Sequence, residues 1–186
     1  GGLGRDELLE LAAGLGSDVP FSLTGGIAIG SGRGELVTPV LAKGSYHWVF
    51  ALSEVGLPTP KVYAECDRLR AVTGTRVGNP RPGSALMTAL RSGDPVALGR
   101  ALVNDLEPAA LSLQPDLREV LEVGREFGAL GALVSGSGPT VALLGADVES
   151  SIDISVALTA SGVVAEVRRA IGPVHGAHVV ATPART

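Results

Sequence analysis

The order of apolar segments between residues 46 and 172 constrains the fold more than any other feature of the sequence. The stretch YHWVFAL, which begins at Tyr46, is rich in aromatic and branched residues and predicts a strand. Four helix-like segments follow. The first begins near Thr59, and the other three span 84–91, 95–103 and 115–127. The stretches ALGALVSGSG and PTVALLGA then predict two strands around a glycine turn, SSIDISVALTASG a helix and VVAEVRRAIG a closing strand. This β-α-α-α-α-β-β-α-β order predicts an α+β domain with helices packed on one face of an antiparallel or mixed sheet.

The first 44 residues have a different pattern. Residues 5–15 predict a helix, with leucines at helical spacing and acidic residues in the first turn. Between Phe21 and Val40, short apolar runs broken by Gly25-Gly26 and by the GSGRG stretch predict strands joined by tight turns. The stretch VGNPRPGSA, at residues 77–85, predicts a loop.

Composition excludes several classes of protein. The net charge of −4 argues against a nucleic-acid-binding protein, which normally carries a basic patch. No apolar run approaches the length of a membrane span, and the first residues do not resemble a secretion signal. The single cysteine, Cys66, excludes an internal disulfide and fits a reducing environment, so we expect a cytoplasmic protein without membrane contact.

Two glycine-rich stretches are candidates for phosphate binding. Glycines 136 and 138 of SGSGPT allow the backbone to approach a ligand closely, and exposed N–H groups of such a loop can hold phosphate. The alternative is a hairpin turn that simply uses glycine, and the stretch alone favours that interpretation. The same alternative is preferred for GSGRG at residues 30–34.

Two polar positions have a capping interpretation, and one of them also has a functional one. Asp18 lies between a helix stop and Val19-Pro20, where an aspartate commonly accepts nearby N–H groups in a turn. It could instead act as a general base or orient a substrate hydroxyl. Asn104-Asp105 ends one helical segment, and capping is the default interpretation there.

The aromatic, thiol and imidazole groups have alternatives as well. Tyr63 on the helix after Thr59 is either a core residue or a stacking surface for a flat base. Cys66 lies among apolar positions and is expected to be buried. His175 and His178 lie in an extended segment that would turn them to opposite faces, so no metal site is predicted there.

Four motifs occur in a fixed order that resembles a known family. LGSDVPFSLTGGIAIGSGRGE is followed by LPTPKVY, by ND-L-E and by VSGSGPTVALL. Together they resemble the 4-diphosphocytidyl-2-C-methyl-D-erythritol kinases of the GHMP kinase superfamily, over essentially all 186 residues. The LGSDVPF…G-x-A-x-G-x-G-x-GE block is specific to these kinases, whereas GSGPT alone is typical of the superfamily.

The resemblance implies an activity and a set of site residues. These kinases use ATP and Mg²⁺ to phosphorylate the 2-hydroxyl of a cytidyl-diphosphate substrate in the non-mevalonate isoprenoid pathway. By resemblance, Asp18 is the catalytic aspartate, and Tyr63 lies against the cytosine ring with Thr59 and Pro60 in the same pocket-lining segment. The resemblance also places the loop residues near the substrate and the phosphates: Gly136, Ser137 and Gly138. No metal-ligating residue is predicted in this chain.

The same resemblance implies a domain division and a missing part. Residues 1–44 correspond to the end of the N-terminal, ATP-binding domain, and residues 45–186 to the C-terminal domain. The family's N-terminal lysine and its P-x-x-x-G-L-G-G-G-S loop have no counterpart here, since Lys43 and Lys61 lie in other contexts. We therefore expect the 186-residue chain to be inactive alone, because phosphoryl transfer depends on positioning the phosphates. The N-terminal region or another copy is expected to cover residues 1–44.

Two alternative functions remain open. One is another GHMP kinase, such as a homoserine or mevalonate kinase, which GSDVPF and PTP…Y argue against. The other is a non-catalytic binding or assembly module that retains the C-terminal fold.

Overall fold

The chain forms two compact units. The computed structural model describes residues 2–75, 78 and 80–180. Of these, residues 2–42 and 173–180 make up the first unit and the described part of 43–172 makes up the second. The sequence prediction counted residues 173–186 with the second domain, and the assignment of the units to two kinase domains stays a prediction. Among the described residues, no helix has the length and apolar character needed to cross a membrane.

The first unit contains two helices and a hairpin. Helix α1 spans Arg5–Leu15 and α2 spans Val19–Thr24, while β1 (Ala28–Ser31) and β2 (Leu36–Pro39) pair antiparallel. The α1 helix and the hairpin strands were predicted, and GSGRG forms the hairpin turn, where Gly34 N donates to Ser31 O at 3.0 Å.

The strand prediction for residues 21–24 was wrong, because these residues belong to α2. Pro20 lies in the first turn of this helix, where its fixed φ is compatible with helical backbone and its missing N–H is not required. The Thr24 hydroxyl donates to Pro20 O at 2.8 Å and closes the last turn. The short apolar run therefore forms a helix, which its length alone did not indicate.

The segment after Pro173 runs along the end of α2. Gly26 N donates to Val174 O at 2.8 Å, and Ala177 N donates to Ser22 O at 3.0 Å. A Cβ on Gly25, where φ is 64°, would lie 2.0 Å from Gly176 N. Glycine is needed here because the two backbones touch.

The described residues of the second unit form six helices and a four-stranded sheet. Its strands are β3 (Tyr46–Leu52), β4 (Gly131–Val134), β5 (Val141–Gly145) and β6 (Glu166–Gly172). Its helices are α3 (Thr59–Thr73), α4 (Ser84–Ser92), α5 (Pro95–Ala101), α6 (Glu107–Leu113), α7 (Leu117–Glu126) and α8 (Val148–Ser161). The strand order is β4-β5-β3-β6, and all three neighbouring pairs are antiparallel. The predicted α+β fold, with helices against an antiparallel sheet, is confirmed.

The core of the second unit lies between this sheet and helices α3, α6, α7 and α8. Val49 pairs with Leu143 and Ala51 with Val141, so alternate positions of β3 and β5 face the helices together. All four of these side chains are at most 2% exposed. The helices supply matching apolar positions that recur at three- and four-residue spacing, such as Val62, Cys66 and Leu69 on α3.

Helix α6 was not predicted. Pro108 follows its first residue and reads as a breaker in sequence, yet a proline in the first helical turn costs no hydrogen bond. Ala109 and Ala110 behind it are fully buried. Of the predicted loop at 77–85, Val77 and Asn79 lie outside the described residues, and α4 begins at Ser84 as expected.

Candidate functional site

A glycine-rich loop, residues 135–140, connects β4 to β5. Ser135 N donates to Thr140 O at 2.8 Å, and Gly138 N donates to Ser135 O at 2.9 Å. Gly136 and Gly138 have φ values of 57° and 78°. A Cβ on Gly138 would also lie 2.9 Å from Cγ1 of the buried Val134. The loop is thus a tight hairpin turn, as the alternative interpretation predicted. Its conformation is nevertheless one that only glycine permits.

Two side chains hold this loop, Asn104 from the segment just before α6 and Glu107 from the first residue of that helix. The Asn104 amide donates to both Val134 O and Gly136 O, each at 2.7 Å. The Glu107 carboxylate accepts from Val134 N at 2.8 Å. Asn104 Oδ1 accepts from Leu106 N at 3.0 Å, so the capping interpretation describes only one of its three hydrogen bonds.

Sequence reasoning missed the contact of Asn104 and Glu107 with the loop. Their hydrogen bonds join them to residues 27 to 32 positions later in sequence, and no local pattern encodes such a distance. The available signal was the ND-L-E stretch itself, which places an amide and a carboxylate three residues apart around one apolar residue.

The N-terminal end of α3 meets the same loop. Thr59 Oγ1 and Ser137 Oγ lie 2.9 Å apart in a hydrogen bond. Pro60 and Tyr63 follow on the exposed side of the helix, and Tyr63 is 55% exposed. The core interpretation of Tyr63 is therefore wrong, whereas Cys66, one turn further along the helix, is buried as expected.

A groove of about 860 Å³ opens beside Tyr63. Its lining includes Arg70, Asn104, Asp105 and Pro108. The volume lies in the range of small-molecule sites, which combine apolar walls with a few polar groups. An exposed phenol ring and the amide that holds the glycine loop therefore share one concave surface.

Helix α3 is fixed to α6 by a carboxylate cluster. Glu65 accepts from the Arg68 guanidinium at 2.7 Å through both oxygens, and from the Ser112 hydroxyl at 2.6 Å. The hydrogen bonds from Arg68 and then Ser112 lower the pKa of Glu65 to about 2. Because Ser112 lies on α6, this cluster orients the helix that carries Thr59 and Tyr63.

Asp18 belongs to the first unit and directly precedes α2. Its backbone carbonyl accepts from Ser22 N at 3.3 Å. Its carboxylate is exposed and makes no capping hydrogen bond, nor any other hydrogen bond or ion pair within the part of the chain that the structure describes. The side chain therefore does not serve the turn, and its oxygens are available to a ligand.

The two histidines near the end of the chain lie close together. The ring centroids of His175 and His178 are 6.4 Å apart in an edge-to-face arrangement. No group of three or more histidine, cysteine or acidic side chains able to hold a metal ion occurs among residues 2–75, 78 and 80–180.

Comparison with known proteins identifies the family. Residues 86–164 match the model of the C-terminal domain of GHMP kinases. The chain is 54% identical over 185 residues to the 4-diphosphocytidyl-2-C-methyl-D-erythritol kinase of Mycolicibacterium smegmatis. The chain belongs to the GHMP kinase family. Members of this family are small-molecule kinases, and the sequence resemblance to them is confirmed.

Other relatives carry the same name. The kinases of Nocardia farcinica and Streptomyces coelicolor are 53% and 52% identical over 180 and 179 residues. These matches cover 96–98% of this chain but only 56–59% of the three relatives. The chain thus spans a little more than half the length of the GHMP kinases it matches.

Solved structures of GHMP kinases share the fold. A crystal structure of 4-(cytidine 5'-diphospho)-2C-methyl-D-erythritol kinase has a TM-score of 0.70 and 32% identity, covering 91% of this chain and 57% of that one. A Leishmania major mevalonate kinase bound to R-mevalonate has a TM-score of 0.74 at 18% identity, over 94% of this chain and 60% of that one. At that identity the second match speaks for the fold alone.

Proposed function

We propose that this chain is part of an ATP-dependent kinase that phosphorylates the 2-hydroxyl of 4-diphosphocytidyl-2-C-methyl-D-erythritol in non-mevalonate isoprenoid synthesis. The observation that carries this proposal is the name shared by the relatives at 52–54% identity over nearly all of the chain. The exposed Tyr63 beside a small-molecule-sized groove and the open carboxylate of Asp18 support it.

In this proposal the second unit binds the cytidyl-diphosphate part of the substrate. Tyr63 stacks on the cytosine ring, because an exposed phenol face offers a flat apolar surface at low entropic cost. Thr59 and Pro60 belong to the same pocket-lining segment. The loop residues Gly136, Ser137 and Gly138 contact the phosphates through backbone N–H groups, which favour anionic oxygens.

Asp18 is proposed as the group that accepts the hydroxyl proton. As the substrate oxygen forms its bond to the γ-phosphorus of ATP, the bond from that phosphorus to the bridging oxygen of ADP breaks. The proton of the hydroxyl passes to the Asp18 carboxylate. A positioned base of this kind contributes about 10²–10⁴-fold to the rate.

Mg²⁺ is expected to enter with the ATP phosphates and to neutralise their charge. It usually takes only one or two protein carboxylates, with phosphates and waters as its other ligands. A cytoplasmic location is part of the same proposal, supported by a free, buried Cys66.

The proposal is tested with a chimera. This chain replaces the matching residues of the Mycolicibacterium smegmatis relative, and ADP release is followed with the cytidyl-diphosphate substrate. We expect substrate-dependent ADP formation that CDP inhibits competitively. A folded chimera that releases no ADP with this substrate contradicts the proposal.

Two further assays address the alternatives. Homoserine and mevalonate replace the substrate in the chimera, and turnover of either would favour another GHMP kinase. The 186-residue chain is assayed alone, where we expect no turnover. Tight CDP binding combined with an inactive chimera would favour a non-catalytic binding module.

A further inference from the structure

We propose that Asn104 is a positioning residue that fixes the glycine-rich loop so that the N–H groups of Gly136 and Ser137 stay free for phosphate oxygens. This inference rests on the proposed function, because it assumes that the loop meets the diphosphate of the substrate. Glu107 assists by holding the strand end that leads into the loop.

The orientation of the peptide groups carries the inference. In a trans peptide the C=O of one residue and the N–H of the next point in opposite directions. Gly136 O points at the Asn104 amide, so Ser137 N–H points away from it. Ser135 O accepts from Gly138 N, so Gly136 N–H points away from that turn bond. Two successive N–H groups are thereby directed outward.

These two N–H groups have no acceptor among the described residues. Gly136 is exposed and has a left-handed φ of 57°. Successive free N–H groups in a turn form the concavity in which proteins bind anions. Donors that are fixed before the ligand arrives cost no reorganisation, which is why preorganised loops stabilise phosphate charge effectively.

Asparagine suits this position chemically. Both hydrogens of its amide are needed, since they reach the carbonyls on either side of Ser135, and its oxygen is needed for Leu106 N. An aspartate has the same shape but no donor, and it would set a charged oxygen against two carbonyl oxygens. Asn104→Asp therefore removes the function of the side chain with almost no change in volume.

The anchor of this side chain is rigid. Asn104 lies three residues before α6, whose Ala109 and Ala110 are fully buried in the core. Glu107, the first residue of the helix, binds Val134 N while Asn104 binds Val134 O. Both polar groups of one residue at the strand end are thus held from one short segment, so the loop starts from a fixed point.

The experiment measures binding of CDP and of cytidine by NMR titration of the chain. In the unchanged protein we expect CDP to bind more tightly than cytidine and to shift the amide signals of Gly136 and Ser137. Asn104→Asp should weaken CDP binding by about 10–100-fold, as expected for the loss of hydrogen bonds to a charged group. Cytidine affinity should change much less, because Tyr63 on α3 is untouched and cytidine has no phosphate for the loop to bind.

Gln114→Glu is the matched control. It exchanges the same groups at another half-buried site, where the Gln114 amide donates to Ser53 Oγ at 3.1 Å and not to the loop. We expect it to keep the preference for CDP. If Asn104→Asp fails to fold, Asn104→Ala, which removes the donors without adding repulsion, should show the same loss of CDP preference with cytidine binding retained.

The outcomes separate the two proposals. If the unchanged protein prefers CDP and the Asn104 variants keep both that preference and the amide signals of the loop, the role of Asn104 is overturned. If the unchanged protein binds CDP no more tightly than cytidine, and the loop signals do not move, the phosphate contact itself is overturned, and with it this part of the proposed function.

Discussion

The glycine-rich loop and the segment around Asp18 hold their candidate residues in opposite ways. The loop is joined to α3 and α6 by hydrogen bonds between residues that are 27 to 78 positions apart. Asp18 is held only through its backbone, by Ser22 four residues later, and its carboxylate contacts no partner among the described residues.

This difference matches the two kinds of work that the proposed reaction requires. Binding a diphosphate requires donors whose directions are fixed in advance, and long-range hydrogen bonds provide that. Accepting a proton requires a carboxylate whose oxygens are not already occupied by capping bonds. The comparison therefore predicts that changes at Asp18 alter rate without altering stability, whereas changes around the loop alter stability or binding.

The largest effect is expected from Asp18→Asn in the chimera. The amide cannot accept the hydroxyl proton, so kcat should fall by about 10²–10⁴-fold. Because the side chain makes no hydrogen bond in the described structure, the thermal midpoint and the affinity for CDP should stay unchanged. Steady-state ADP release, thermal denaturation and CDP titration measure the three quantities.

Asp6→Asn is the control for this variant. Asp6 is another exposed aspartate of the first unit, in the first turn of α1, and its loss should leave kcat nearly unchanged, because its charge interacts with the end of α1 and affects stability alone. A large loss of stability in Asp18→Asn, or an unchanged kcat, would remove the contrast between the two regions.

The second effect concerns the free energy of unfolding. Gly138→Ala forces a side chain into a left-handed φ, which costs about 1–2 kcal/mol, and its Cβ would meet Val134 for a further ~1–3 kcal/mol. Gly128→Ala is the matched control, because its φ of 89° is also left-handed but its Cβ would meet nothing within 4 Å. Denaturant unfolding should show the larger loss at Gly138, and equal losses would refute close packing of the loop.

The third effect is a change in pH dependence. Binding to Arg68 and Ser112 lowers the pKa of Glu65 to about 2 in the folded chain, from an ordinary value of 4.5. Its contribution to stability is therefore fully present above pH 4.5 and is lost as the pH falls towards 2. Glu65→Gln should flatten that part of the profile of thermal midpoint against pH, while Glu122→Gln, an exposed position on α7, should leave it steep. An unchanged profile in Glu65→Gln would show that the cluster does not orient α3.

The sequence predicted the elements whose causes are local. The alternation and composition of YHWVFAL, the leucine spacing of residues 5–15 and the apolar runs on either side of SGSGPT each determine their own backbone conformation. Helix α6 was missed because Asn104-Asp105 was interpreted as the capped end of a helical segment, and residues 21–24 because a short apolar run fits either a strand or a helix. In each case burial or a proline in the first turn decided the outcome.

The candidate site, too, could be predicted from the sequence only in part. Resemblance to a family supplied the candidate residues, including Asp18, Tyr63 and the loop glycines. It could not supply the contacts of Asn104 and Glu107 with Val134, because those depend on where α6 packs against the end of β4. Long-range hydrogen bonds are a product of tertiary packing, so a sequence without a fold cannot reveal them.

The smallest effect is expected at the contact between Thr59 and Ser137. Both side chains lie near the protein surface, and a hydrogen bond between two neutral hydroxyls contributes about 0.5–1.5 kcal/mol. In a double-mutant cycle of Thr59→Val and Ser137→Ala, the coupling energy in unfolding should therefore be no more than about 1 kcal/mol.

The same cycle for CDP affinity should show positive coupling as well, because the contact ties the helix that carries Tyr63 to the loop that is proposed to meet the diphosphate. Thr73→Val on the same helix should show no coupling to Ser137, because the Thr73 hydroxyl bonds, among the described residues, only within its own turn and to Thr75. If the two residues are coupled in stability but not in CDP affinity, their hydrogen bond joins the loop to α3 without affecting ligand binding. The contrast between the loop and the Asp18 segment would then depend on Asn104 alone.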